Sequence, residues 1–169
     1  MSGRARSIRP DRRYALVALY QFDSGLAGDL DAVRAALESS DELGEDDEGV
    51  DLSMPAARLE ARDPERIAAR REAIEAGLSL ASMVWEFRND ADRAVRPFTA
   101  EWPVHRQPVI DRNALRLGWY GFVHAGDPVA VAIDETVELV KTFSTEKSGA
   151  FVNAVLDRVA KSGAAEKAQ

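Results

Sequence analysis

The sequence predicts an all-α fold, a helical bundle of about six or seven helices. Three observations carry this. Apolar residues recur at i, i+3, i+4 spacing through nearly every stretch outside one acidic segment. Proline, aspartate and glycine punctuate those stripes where helices start and stop. No run alternates apolar and polar residues convincingly enough to read as a strand, and no internal repeat is visible.

The elements follow in order. Asp11, just after Pro10, is positioned to cap a first helix carrying Ala15, Leu19 and Phe22, which Asp23 to Gly25 ends. A second helix uses Leu30, Val33 and Leu37. Residues 38 to 51, "ESSDELGEDDEGVD", hold eight acids and no base. That is too much charge on too few apolar residues to pack, which predicts an acidic mobile insertion over about 40–62. Order resumes at Asp63 and Pro64, a good cap followed by a residue suited to the first helical position. Ile67, Ile74, Leu78, Ala81 and Trp85 form one stripe; Leu80, Val84, Phe87, Ala91, Val95 and Phe98 form another. Two stripes predict one long central helix covered on two sides, interrupted only by Gly77 and stopped by Pro97. "EWPVHRQPVIDR" bridges to a helix from about Pro108 to His124, and Gly126 breaks the chain. Asp127 and Pro128 repeat the cap-plus-proline device before a helix with Val129, Ala132, Ile133, Val137 and Val140. The last helix carries Phe151, Val152, Val155, Leu156 and Val159, with a fraying tail over 161–169. The expected organisation is a single domain over 1–169, with a flexible basic arm at 1–11.

At 169 residues, folding buries roughly 70% of the unfolded chain's surface, so no staple is needed. There is no cysteine, which removes disulfides, thiolate metal sites and thiol catalysis, and suits a reducing compartment. No apolar run approaches the roughly 18 residues of a membrane span. "MSGRARSIRPDRR" is basic without an apolar core behind it, unlike a secretory signal. The expected location is the cytoplasm. His105 and His124 are the only histidines, and no metal-ligand spacing, glycine-rich phosphate loop or nucleophile elbow occurs. His124 reads as a helix-end histidine facing the backbone dipole and His105 as an exposed linker residue. No catalytic residue, metal or cofactor is indicated.

Charge is the informative property. The net charge is −7, yet residues 1 to 13 hold five arginines against one aspartate. Charges farther apart than about 8 Å are largely screened at physiological salt, so binding follows the local field rather than the sum. Arginine at a helix start opposes the macrodipole and gives the helix nothing. Guanidinium both pairs with phosphate and stacks on bases. Arg4, Arg6 and Arg9 ahead of the helix, with Arg12 and Arg13 on its first turn, are therefore candidate RNA-phosphate contacts.

Three blocks, about 65 residues in all, resemble the bacterial transcription antitermination factor NusB family. "RRYALVALYQFD" (Arg12 to Asp23) is similar to that family's arginine-led opening helix with its "ALYQ"-type run. "WPVHRQPVIDRNALRLGWYGF" (Trp102 to Phe122) resembles its "DR..LRL..YE" block. "VAVAIDETVELVKTFSTEKSGAFVNAVLDRVA" (Val129 to Ala160) resembles its "FVNG"-type C-terminal signature. The resemblance implies an all-helical fold of two lobes around a long helix, without catalysis. It implies two direct partners: a small-subunit ribosomal protein acting as NusE, and boxA-type single-stranded RNA of ribosomal RNA operons. Together these would seed an RNA polymerase antitermination complex. By the same resemblance Arg9, Arg12, Arg13, Tyr20 and Phe151 lie along the RNA face. Phe151 has two open readings, a ring offered to a base or a core residue beside Val155 and Val159. Asn153 is expected to be a buried amide tied to a neighbouring backbone group.

The chain departs from the family pattern at Lys147, where an acid usually precedes the serine; a lysine there would add a phosphate contact. Gly149 and Ala150 replace "HK", Gly121 replaces the "YE" glutamate, Asp134 stands at an asparagine position, and Ala154 closes "FVNA". Two alternatives remain. The same module occurs fused ahead of an RNA methyltransferase domain, for which a chain ending at Gln169 leaves no room. A diverged paralogue would keep the fold and act as a protein-protein module or homodimer.

Overall fold

A computed structural model describes residues 9–39 and 64–163. Arg4, Arg6, the acidic segment, Asp63 and residues 164–169 lie outside the described residues. Among those described are seven α-helices and two 3-10 turns, with no strand. The helices are α1 (Pro10–Asp23), α2 (Leu30–Ser39), α3 (Pro64–Glu86), α4 (Arg88–Val95), α5 (Val109–Val123), α6 (Val129–Phe143) and α7 (Glu146–Lys161). The chain divides into two compact units at Leu80 and Ala81, so α3 begins in the first and ends in the second.

In the first unit α1 starts on Pro10, which needs no amide partner at the first helical position. The cap is therefore Arg9, not Asp11: the Arg9 carbonyl accepts from the amides of Arg12 (3.1 Å) and Arg13 (3.4 Å). Asp11 instead sits in the first turn, where the macrodipole favours an acid. The helix ends at Asp23, and two residues on Gly25 turns the chain with a φ of +67° that glycine adopts without strain. Asp29 caps α2, its Oδ1 accepting from the Ala32 amide at 2.8 Å. Tyr14, Leu16, Leu19, Val33, Leu37, Ile74 and Leu78 are buried.

Gly77 has a positive role rather than being a mere interruption. A Cβ there would lie 2.6 Å from Tyr14 Cβ and 2.8 Å from the Asp11 carbonyl oxygen. The first turns of α1 thus rest almost directly on the α3 backbone. Arg34 ties α2 to α3, donating to Glu75 through Nε (2.5 Å) and a terminal nitrogen (3.2 Å), and also pairs with Asp31. The hydrogen bond from Arg34 holds the Glu75 carboxyl below its ordinary value, and Glu75 in turn raises Arg34. Arg70 donates to the Leu37 carbonyl at 2.9 Å.

In the second unit the expected single long helix breaks at Phe87, with φ −88° and ψ 8°. Its carbonyl accepts from the amides of both Asp90 and Ala91 at 3.1 Å, which starts α4. The break coincides with a ring cluster: Phe87 lies 4.3 Å from His124 and 5.9 Å from Tyr120, centroid to centroid. Pro97 falls inside a 3-10 turn (Arg96–Phe98) that follows α4 rather than ending a long helix. Periodicity alone cannot show such a break, because the stripe resumes in nearly the same phase.

Helix α5 matches its expected span and is buried at every position from Asn113 to Gly121. A Cβ on Gly118 would lie 2.6 Å from Leu156 Cδ1 and 2.9 Å from Thr136 Oγ1, so α6 and α7 close tightly on it. Pro128 is the cap of α6 rather than its first helical residue, and the Asp127 amide donates to the Gly121 carbonyl at 3.0 Å. Helix α7 begins at Glu146, five residues before Phe151. Thr145 caps it by accepting from the Ser148 amide at 3.1 Å. Its buried stripe is Val152, Val155, Leu156 and Val159.

Candidate nucleic-acid interface

The residues singled out for RNA contact fall in both units. In the first, Arg9 is exposed, Arg13 half-buried and Tyr20 36% exposed. Arg9 and Arg13 are four residues apart and Tyr20 is seven beyond Arg13, so the three share one stripe of α1. Arg12 does not. It is 2% exposed, rotated onto the inward side beside Tyr14 and Leu16. No phosphate could reach it there, and the expectation of an Arg12 contact gives way to a packing role. Adjacent residues on a helix point about 100° apart, which lets Arg12 face the packed side while Arg13 stays half-exposed.

In the second unit Lys147 is exposed on the first turn of α7 and Phe151 is half-buried one turn later on the same side. Phe151 is off the core stripe. Its ring meets Trp102, centroids 5.0 Å apart and planes inclined at 58°. Asn153 is exposed on α7, which corrects the reading of a buried amide. Sequence reasoning passed over Trp102 because it lies in the linker before α5; the available signal was an aromatic set among basic residues there.

A polar chain fixes the start of α7. Asp111, wholly buried, accepts from Ser144 Oγ at 3.2 Å, and the Ser148 hydroxyl lies 3.0 Å from Ser144 and 3.1 Å from Thr145. Ser148 is thereby held inward, which leaves its neighbour Lys147 facing solvent. Gly149 faces α6, where a Cβ would lie 3.3 Å from the flexible Lys141 side chain and 3.7 Å from Val137 Cγ1.

His124 caps the C-terminal end of α5, and its ring lies among Phe87, Trp119 and Tyr120. His105 is exposed. Among the described residues no group of three or more histidines and acids is placed to hold a metal ion. No described helix is long and apolar enough to cross a membrane.

The NusB family model matches residues 9–161, nearly the whole chain. This chain belongs to the NusB family. It is 34% identical to the transcription antitermination protein NusB of Myxococcus xanthus over 153 residues, covering 90% of this chain and 93% of that protein. It is 36% identical to the NusB of Symbiobacterium thermophilum over 154 residues, covering 90% and 88%. Among solved structures it resembles Thermotoga maritima NusB with a TM-score of 0.59 and 28% identity, over 94% of this chain and 93% of that one. The NusB match starts at Arg9, so Arg4 and Arg6 precede the matched region.

Proposed function

We propose that this NusB-family antitermination factor is a non-enzymatic cytoplasmic adaptor. It pairs with the ribosomal protein that acts as NusE, and binds boxA-type single-stranded RNA on nascent ribosomal RNA. One observation carries the reading: the family match begins where Arg9 caps α1, and Arg9, Arg13 and Tyr20 line one accessible stripe of that helix. Arg4 and Arg6 precede it in the sequence, and in the second unit Lys147 and Phe151 of α7 offer a cation and a ring of their own. Phosphate pairing supplies affinity that falls with salt, and ring contacts hold bases with little sequence demand.

The test is complex formation. Full-length protein is mixed with the small-subunit ribosomal protein of its own species and a boxA-like oligoribonucleotide, and the mixture is resolved by size-exclusion light scattering. A ternary complex of one copy each is expected. A second reading, a self-associating or protein-binding module, is favoured by the exposed Leu26 (69%) and Leu30 (38%) at the α1–α2 connection. Binding to neither partner, with a protein-only dimer in its place, would support that reading and remove the first.

A further inference from the structure

We infer that Trp102 and Phe151 form a two-ring platform for a base of single-stranded RNA, on a track laid down by Lys147, Arg158 and Arg106. The inference deepens the RNA-adaptor reading and rests on it. Lys147, Phe151, Ala154 and Arg158 are spaced four, three and four residues apart, so they share one stripe of α7. Lys147, Ala154 and Arg158 are exposed, and Phe151 is half-buried. The stripe reads cation, ring, small residue, cation. Trp102 comes against the ring from the linker before α5, at 5.0 Å.

Two features separate this pair from an ordinary surface staple. The linker is held before any ligand arrives. The Trp102 indole nitrogen donates to the Arg106 carbonyl at 3.1 Å, and Gln107 donates to the Trp102 carbonyl at 2.8 Å. Gln107 is itself 3% exposed, so this clamp is built into the packed part of the unit. A ring fixed in advance loses little freedom on binding. The bond to its carbonyl also anchors Arg106 beside the indole edge. The surrounding cations are uncommitted. Arg106, Lys147 and Arg158 are exposed and make no ion pair among the described residues, whereas Arg93, Lys141 and Lys161 of the same unit each pair with an acid at 2.7–2.8 Å. Cations alone would suit an acidic peptide. Two rings flanked by cations at helical intervals suit alternating bases and phosphates better.

The experiment uses the full chain and a mixed-sequence single-stranded oligoribonucleotide. Binding is followed by tryptophan fluorescence and independently by anisotropy of a labelled RNA. Trp119 is wholly buried, so the Trp102→Phe variant isolates the Trp102 signal from it and from Trp85. RNA is expected to quench the Trp102 component. Trp102→Leu should weaken binding about 5- to 100-fold, with Trp102→Phe restoring most of it. Arg106→Gln, Lys147→Gln and Arg158→Gln, all at exposed positions that leave the fold intact, should each reduce the slope of log K against log salt by about 0.7. If the parent binds RNA but Trp102 emission is unmoved and the three slopes equal the parent's, the platform is wrong while the adaptor reading survives. Quenching by an acidic peptide but not by RNA also overturns it. If the parent binds no RNA, the adaptor reading fails and the platform goes with it. Should Trp102→Leu fail to fold, the three slopes decide alone.

Discussion

Arg116→Ala is expected to lose about 3–5 kcal/mol of stability, the largest loss anticipated for a single side chain here. Arg116 forks onto Asp92, with Nε to Oδ1 and a terminal nitrogen to Oδ2, both at 2.8 Å. Its other terminal nitrogen donates to Asn113 Oδ1 at 2.9 Å, and Asn113 in turn donates to the Val109 carbonyl at 2.9 Å. The Arg116 side chain is 7% exposed and that of Asp92 21%. The guanidinium carbon also sits 5.8 Å from the Trp85 ring, which Arg88 approaches at 4.6 Å. Deleting the arginine strands a carboxylate in a mostly dry setting and leaves a buried amide oxygen without that donor. Arg116→Lys should recover only part, because an ammonium cannot reproduce the fork. Replacing both partners, Asp92→Leu with Arg116→Met, should cost clearly less than the sum of the single replacements. Urea unfolding measures all five variants, the two single replacements Asp92→Leu and Arg116→Met included. A loss below about 1 kcal/mol for Arg116→Ala would mean the pair behaves as an exposed surface bridge.

Gly77→Val is expected to cost about 3 kcal/mol and to weaken RNA binding as well. The obstacle to its Cβ is the Asp11 carbonyl and the Tyr14 Cβ, neither of which can swing aside as a side-chain tip can. The first turn of α1 must move, and that turn carries Arg13 and follows the Arg9 cap. Gly77→Ala should cost less, because alanine's better helix propensity returns about 1 kcal/mol. Gly149→Ala is the matched control, its Cβ meeting a flexible lysine at 3.3 Å and Val137 at an ordinary 3.7 Å. Thermal unfolding together with RNA anisotropy separates the two effects. A Gly77→Val protein as stable as the Gly149→Ala control would contradict the close approach of α1 and α3.

Helix existence was legible because it rests on local periodicity and on caps. Pro10, Pro64, Gly25 and Gly126 mark ends that the structure places within three residues. The break at Phe87 was not legible, because its visible correlate is a ring cluster with Tyr120 and His124, distant in sequence. The start of α7 was missed for a related reason. Thr145 and Ser148 look like turn residues until their hydroxyls are seen bonded to one another, with Ser144 linking Ser148 to Asp111. Of the candidate site, the arginine run could be read directly from its charge. Arg12's inward turn could not, since polarity alone places every arginine at the surface. Asn153 is misplaced from sequence because it sits next to Val152 inside an apolar stretch, although adjacent residues on a helix point about 100° apart. Trp102 became meaningful only once Phe151 was found against it.

We assign the grip on the RNA backbone to the arginine arm. The salt dependence of boxA-like RNA affinity, in the ribosomal partner's presence, tests this for full-length protein and a form lacking residues 1–8 with Arg9→Ala and Arg13→Ala. Arg12 stays in place because it is buried. Four arginines removed should flatten the slope of log K against log salt by up to about 2.8 and lower affinity at every salt concentration. Coincident lines for the two proteins would contradict the claim.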